Sequence, residues 1–242
     1  MNTKLADRST VVVGGSRGLG RGIASAFASA GARVTAVART PFTIPSVRAE
    51  IADAADPATA TRILSAYEPD ILVVVAGATP VSLPLHEHSW ETFSVHWQAD
   101  VKIAFGWVRE ALIRPMPPGS RIVVISSGAA VKGSPASGGY AGAKATQRFI
   151  AAYAQEESDR AGLGITVTAV LPAMTPAGGV GMEGVRAYAA RSGQTEAAFM
   201  AGLGQPLTAE TAGAALVELV GTDPADTAPG YLLTAGGLQK LP

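Results

Sequence analysis

The chain has 242 residues, 48% of them hydrophobic and 16% charged, which is enough apolar material to bury a full core at the upper end of single-domain size. Nineteen Lys and Arg balance nineteen Asp and Glu, so no charge surplus recommends nucleic acid or an anionic membrane, and a small molecule is the expected partner. Cysteine is absent, which excludes disulfides, thiolate nucleophiles and cysteine-ligated metals.

The first residues carry Lys4, Asp7 and Arg8 with no apolar stretch behind a basic one, unlike a secretory signal. The longest apolar runs, such as Ile71 to Ala78, stop well short of the ~20 residues that a membrane-spanning helix needs. A cytoplasmic protein is expected. Along the chain, Thr10 to Val13, Arg33 to Ala38, Ile71 to Val75, Arg121 to Ser126, Ile165 to Leu171 and Tyr231 to Leu233 are short runs apolar nearly throughout, the signature of strands buried on both faces. Between them the spacing predicts helices over Leu19 to Ala30, Pro57 to Tyr67, Trp90 to Ile113, Tyr140 to Ala161 and Thr208 to Val220. Alternating strand and helix predicts one doubly wound α/β domain spanning 1–242, with helices on both faces of a parallel sheet.

Two stretches depart from this rhythm. Arg39 to Pro45 is too short for a crossover helix, so a strand at Val47 to Ala52 would be reached by an extended loop. The segment from Ala173 to Pro206 gathers Gly178, Gly179, Gly181 and Gly184 with Met174, Met182, Tyr188, Phe199 and Met200, and is expected to form a lid over a substrate.

After the first strand comes Gly14-Gly15-Ser16-Arg17-Gly18-Leu19-Gly20, where a helix begins with unpaired N–H groups and the positive end of its dipole. Glycines there admit a phosphate close to the backbone, and the first strand–helix junction of such a sheet is where dinucleotides bind. The second strand ends at Ala38-Arg39, with no carboxylate to meet the ribose hydroxyls of NAD. Arg17 and Arg39 can instead hold a phosphate, which favours NADP(H).

Tyr140 and Lys144 stand four residues apart on a predicted helix, so they share a face. A neighbouring ammonium favours the phenolate and suits a tyrosine to acid/base work. Ser127 ends the fifth strand and precedes Tyr140 through a glycine-rich loop, so the two hydroxyls can hold one substrate carbonyl. His86, His88 and His96 lie close in sequence, but no acid or cysteine cluster completes a ligand set and no metal is expected.

On these residues the sequence resembles a classical short-chain dehydrogenase/reductase along essentially its whole length. The family's Thr-Gly-x-x-x-Gly-x-Gly turn is matched from Val13 to Gly20, and its serine with Tyr-x-x-x-Lys by Ser127, Tyr140 and Lys144. Asp53 falls where the family's adenine-binding aspartate ends the third strand, Ala76-Gly77 where an Asn-Asn-Ala-Gly motif ends the fourth, and Gly236-Gly237 where Asp-Gly-Gly is usual. The resemblance implies a Rossmann-type sheet of about seven strands and an NADP(H) site formed by Gly14, Ser16, Arg17, Gly18, Leu19, Gly20, Arg39, Asp53, Ala76, Gly77, Lys144, Pro172 and Thr175. It also implies a carbonyl reductase or alcohol dehydrogenase that assembles as a homotetramer or homodimer. Trp90, Trp97, Phe105 and Trp107 on one helix, with Phe149 and Tyr153, are the candidates for that interface.

The chain departs from the family at Val13, at Val74-Val75 in place of the two asparagines, and at Ala173 after Pro172. The largest departure is Asp100, where the family's fourth catalytic residue is an asparagine that links the lysine to a water chain. Asp100 is either an anionic relay partner of Lys144 or a structural capping carboxylate. A dinucleotide-binding sensor or scaffold without turnover is the alternative to an enzyme.

Overall fold

In the computed structural model, which describes residues 4–176 and 179–241, seven strands run parallel: β1 (Ser9–Val13), β2 (Arg33–Ala38), β3 (Val47–Ile51), β4 (Ile71–Val74), β5 (Arg121–Ile125), β6 (Thr166–Pro172) and β7 (Gly230–Thr234). β1, β4 and β5 are buried along their whole length because helices cover both faces of the sheet, which is why they read as mostly apolar runs, with Ser9, Thr10 and Arg121 the buried polar exceptions at their starts. The strand order is β3-β2-β1-β4-β5-β6-β7-β8. Val13 at the end of β1 is in register with both Val37 of β2 and Val74 of β4, and between β1 and β4 the order of winding reverses. Ligands of such sheets bind at that reversal, beyond the strand carboxyl ends.

The eighth strand is a departure from the seven expected. β8 (Gly237–Lys240) returns antiparallel on β7, with Thr234 opposite Gly237 in the turn and Gly237 at φ 100°. It is short, polar and at the edge, so no apolar run marks it.

The helices are α1 (Gly18–Ser29), α2 (Pro57–Tyr67), α3 (Trp90–His96), α4 (Lys102–Ile113), α5 (Ala129–Lys132), α6 (Tyr140–Ala161), α7 (Gly179–Arg191), α8 (Glu196–Gly202) and α9 (Ala209–Gly221). One core cluster, with Ile23, Phe27, Leu216 and Leu233, packs α1 and α9 on one face of the sheet, and a second, with Ile63, Trp107, Ile122 and Leu171, packs α2, α4 and α6 on the other. α6 buries Ala143, Lys144, Gln147, Ala151, Ala154 and Ser158, a stripe at helical spacing that turns Lys144 inward, and ends at Gly162 in the left-handed region at φ 63°.

β2 and β3 are joined by a loop without a helix, as the prolines require. The helix expected over Trp90 to Ile113 runs over those same bounds, widened in its middle by a five-residue π turn, Trp97–Val101, between α3 and α4. Trp107 is fully buried, with its ring N–H donated to Ala54 O at 3.0 Å, so it belongs to the core and is unavailable to an interface. The segment after Ala173 holds α7 and α8, with Tyr188 stacked on Phe199 at 6.2 Å; Gly178 lies outside the described residues. Among the described residues no helix is long and apolar enough to cross a membrane.

Candidate active site

Most of the sequence-predicted site residues fall in the loops after β1 to β5 or at the start of the helices that follow, while Pro172 ends β6, Lys144 lies one turn into α6 and Asp100 lies in the π turn between α3 and α4. At the β1–α1 turn, Gly14 adopts φ 91° and donates its N–H to Val37 O at 2.8 Å. A Cβ at Gly14 would stand 2.6 Å from Ala76 Cα, and one at Gly20 would stand 2.1 Å from Gly14 O, so the turn is pressed against both the next strand's loop and its own helix. Gly18, at φ 51°, faces open space instead. Arg17 is the N-cap of α1 but makes no side-chain cap, and the first turn carries no acid. The N–H groups there are left for an external acceptor, which fits a phosphate of a dinucleotide.

Around that turn, Ser16 and Leu19 are half-buried, and Arg17 at the start of α1 and Arg39 just after β2 are exposed, neither in an ion pair among the described residues. Asp53 follows β3, its Oδ1 accepting from Ala55 N at 3.0 Å. Ala76 donates its N–H to Val13 O at 2.8 Å, which brings the Ala76-Gly77 loop over the turn. Pro172 closes β6, and the carbonyl of Thr175 packs so tightly on α7 that a Cβ at Gly181 would lie 1.9 Å from it.

A second group of side chains lies behind Tyr140, the first residue of α6. One helical turn on, the Lys144 ammonium is 5.6 Å from the centre of the Tyr140 ring and 2.9 Å from Asp100 Oδ2. It also donates to Gln147 Oε1 at 2.9 Å and, weakly, to Ile125 O at 3.5 Å. Asp100 sits in the π turn, and its Oδ1 accepts from Ala78 N at 2.8 Å and lies 3.0 Å from His96 Nδ1. Gln147 closes the network by donating Nε2–H to Asp100 O at 3.0 Å. A Cβ at Gly77 would fall 2.5 Å from Asp100 Oδ2, so only glycine leaves room for the carboxylate. Ser126 Oγ donates to Lys144 O at 2.6 Å and ties α6 to β5, while Ser127, the next residue, accepts from Ala129 N at 3.2 Å.

The electrostatics follow from burial. Desolvation alone would raise the Asp100 carboxyl, but the Lys144 ammonium, the His96 hydrogen bond and the Ala78 N–H outweigh it and hold it down from 3.8 to about 2. Burial likewise pulls Lys144 down, and the Asp100 and Tyr140 oxygens more than reverse this, so its ammonium is held above the usual lysine range. Asp100 is thus ion-paired to Lys144 and, through Ala78 N, also holds the loop after β4.

Two participants escape sequence reasoning. His96 bonds Asp100 rather than standing with His86 and His88, and Gln147 bridges Lys144 to the Asp100 backbone. Their signals were the helical spacings His96 to Asp100 and Lys144 to Gln147. Among the described residues no three metal-ligating side chains converge.

Comparison with known proteins agrees with this architecture. L-xylulose reductase of Bos taurus is 32% identical over 144 residues, 55% of this chain and 58% of that protein. A Streptomyces antibioticus protein named "Probable oxidoreductase" is 32% identical over 142 residues, 52% of this chain and 47% of its own length. The chain thus spans about half the length of the curated relatives it matches. Among solved structures, a short chain dehydrogenase from Mycobacterium avium superposes with TM-score 0.77 at 22% identity, covering 100% of this chain and 86% of that one, a likeness of fold. A Beutenbergia cavernae protein described as an NAD(P)-dependent gluconate 5-dehydrogenase, with NADP bound at low occupancy, superposes with TM-score 0.79 at 25% identity over 98% of both chains. The short chain dehydrogenase profile itself matches residues 8–184, and by that match the chain belongs to the short-chain dehydrogenase/reductase family of oxidoreductases.

Proposed function

We propose that the protein is an NADP(H)-dependent carbonyl reductase or alcohol dehydrogenase of mainly apolar substrates, with Tyr140 as the general acid/base. The observation that carries this reading is the Tyr140–Lys144 pair, in which a buried ammonium lies 5.6 Å from the phenol ring while ion-paired behind it to Asp100. The bound nucleotide supplies hydride to the carbonyl carbon or takes it from the alcohol carbon. Tyr140 gives its phenolic proton to the substrate oxygen in reduction and takes it back in oxidation. Ser127 Oγ–H donates to the same oxygen and orients it. Lys144 favours the phenolate by its charge, and its third hydrogen, only loosely held by Ile125 O, is free to meet a ribose hydroxyl.

The uncapped start of α1 takes the pyrophosphate, and Arg17 with Arg39 takes a 2′-phosphate, which is the reason for preferring NADP(H). The segment 173–206 acts as the lid; its Tyr188 hydroxyl stands 2.9 Å from Ser134 Oγ on the loop that leads to Tyr140. Exposed Phe105 on α4 and the stacked Phe149 and Tyr153 on α6 support a homodimer or homotetramer built through these helices.

A second reading, a dinucleotide-binding sensor without turnover, draws on one observation: Lys144 already spends two of its hydrogens on Asp100 and Gln147. NADPH oxidation by the purified protein, measured with a panel of apolar ketones, keto-esters and diones, separates the two. Turnover with any member supports the enzyme, and tight NADPH binding without turnover across the panel supports the sensor.

A further inference from the structure

The mechanism proposed above gives no work to His96, although it is a fully buried ionisable side chain beside the site. Its Nδ1 stands 3.0 Å from Asp100 Oδ1. Facing a carboxylate, that nitrogen has to carry a proton, because two acceptors would repel. Nε2 is the other ring nitrogen, and it is buried with no partner. An unpaired buried nitrogen is destabilising, so the imidazole is explained by what its other atoms do. They do two things: one nitrogen holds Asp100, and the ring packs edge-to-face on Tyr140 at 4.9 Å.

The need for such a group follows from the carboxylate. An asparagine has a single side-chain acceptor, so its orientation toward a lysine selects itself; an aspartate has two equivalent oxygens, either of which can take the ammonium. Here the Ala78 N–H and His96 Nδ1 both lie on Oδ1, at 2.8 and 3.0 Å, and Lys144 lies on Oδ2 at 2.9 Å. The groups facing the Asp100 side chain are therefore His96 from α3, Lys144 from α6 and the Ala78 N–H from the loop after β4. The π turn that begins directly after His96 carries Asp100, and such widened turns are uncommon and concentrate at functional sites.

We propose that His96 is a positioning residue of the proton-transfer site: its Nδ1–H commits Asp100 Oδ1, so that Oδ2 holds the Lys144 ammonium behind Tyr140, while its ring walls the phenol. This rests on the reductase reading for its catalytic consequence, but its hydrogen-bond geometry stands without it. Removing the Nδ1 donor frees the carboxylate to turn, lets it keep a proton at higher pH, and loosens the lysine that serves Tyr140.

The test has two arms. In ¹⁵N-labelled protein without nucleotide or substrate, the His96 signals are identified by their loss in His96→Asn, and His96 should carry its proton on Nδ1 near neutral pH. Any form lacking the Nδ1 proton overturns the proposal irrespective of activity. In the second arm, NADPH oxidation is followed with the member of the carbonyl panel that the unmodified protein turns over fastest. His96→Leu, which removes the donor, should lower kcat about ten- to hundredfold with KM and the NADPH dissociation constant nearly unchanged, and move the acid limb of kcat to higher pH. His96→Asn, whose amide N–H replaces Nδ1–H, should recover kcat to within about threefold and restore the limb. A folded His96→Leu with the unmodified rate and pH profile, or a folded His96→Asn as slow as His96→Leu, overturns the proposal. If His96→Leu does not fold, His96→Asn and the spectrum decide. Absence of any NADPH oxidation by the unmodified protein counts against the reductase reading, and the ¹⁵N arm then still decides the geometry.

Discussion

Asp100 Oδ2 and Lys144 Nζ are 2.9 Å apart, and both side chains are buried, so each is the other's means of staying charged inside the protein. Asp100→Asn would leave the ammonium without its counter-charge. Removing one member of a buried pair costs about 3–5 kcal/mol. At this chain length each kcal/mol moves Tm by roughly 2–4 °C, so calorimetry should show a fall of about 6–20 °C. A fall of under about 2 °C would mean that the pair is solvated and contributes little.

The same pair sets a pH window. The Asp100 carboxyl is lowered from 3.8 to about 2 in the fold, so its stabilisation, about 2 kcal/mol, is present above the unfolded value and is lost as pH falls through the folded one. Lys144 is raised, so its share is present below the ordinary lysine value and is lost as pH climbs through the folded one. Unfolding by denaturant should therefore show stability flat near neutrality and falling below about pH 4, a fall that Asp100→Asn flattens. An identical acid dependence in the variant would contradict this.

Tyr140→Phe removes one hydroxyl from the first turn of α6 and keeps the ring that packs on His96. Turnover should fall by about 10²- to 10⁴-fold, the range of lost acid/base catalysis, while NADPH binding by calorimetry stays within about twofold. Retention of normal turnover would remove Tyr140 from the role of acid.

Nucleotide choice should follow the two exposed arginines, Arg17 at the start of α1 and Arg39 just after β2. NADPH is expected to bind more tightly than NADH, and Arg39→Asp to invert the order by replacing a phosphate partner with a ribose partner. Equal dissociation constants in the unmodified protein would leave Arg17 and Arg39 as surface charges.

Gly20→Ala tests the turn itself. The new Cβ would stand 2.1 Å from Gly14 O, a backbone atom that moves only if β1 and α1 separate. Stability should drop by about 1–3 kcal/mol or more, and NADPH affinity should fall with it. An alanine variant that binds NADPH normally would show that the turn is looser than its packing implies.

The sheet was legible in the residues because parallel strands covered on both faces are mostly apolar, and β4 is wholly so while β1 and β5 are so after their first one or two residues. The glycine turn and the Tyr140–Lys144 spacing were legible for the same local reason: a tight turn needs glycine, and one helical turn puts the fourth residue on the same face. β8 was not, since a short polar edge strand owes its pairing to β7 rather than to its own composition. Nor could the sequence by itself choose between a capping and an ion-pairing Asp100, or assign His96 and Gln147. Those partners come from three separate stretches of chain, α3 with its π turn, α6 and the loop after β4, and only their packing together decides which oxygen meets which donor.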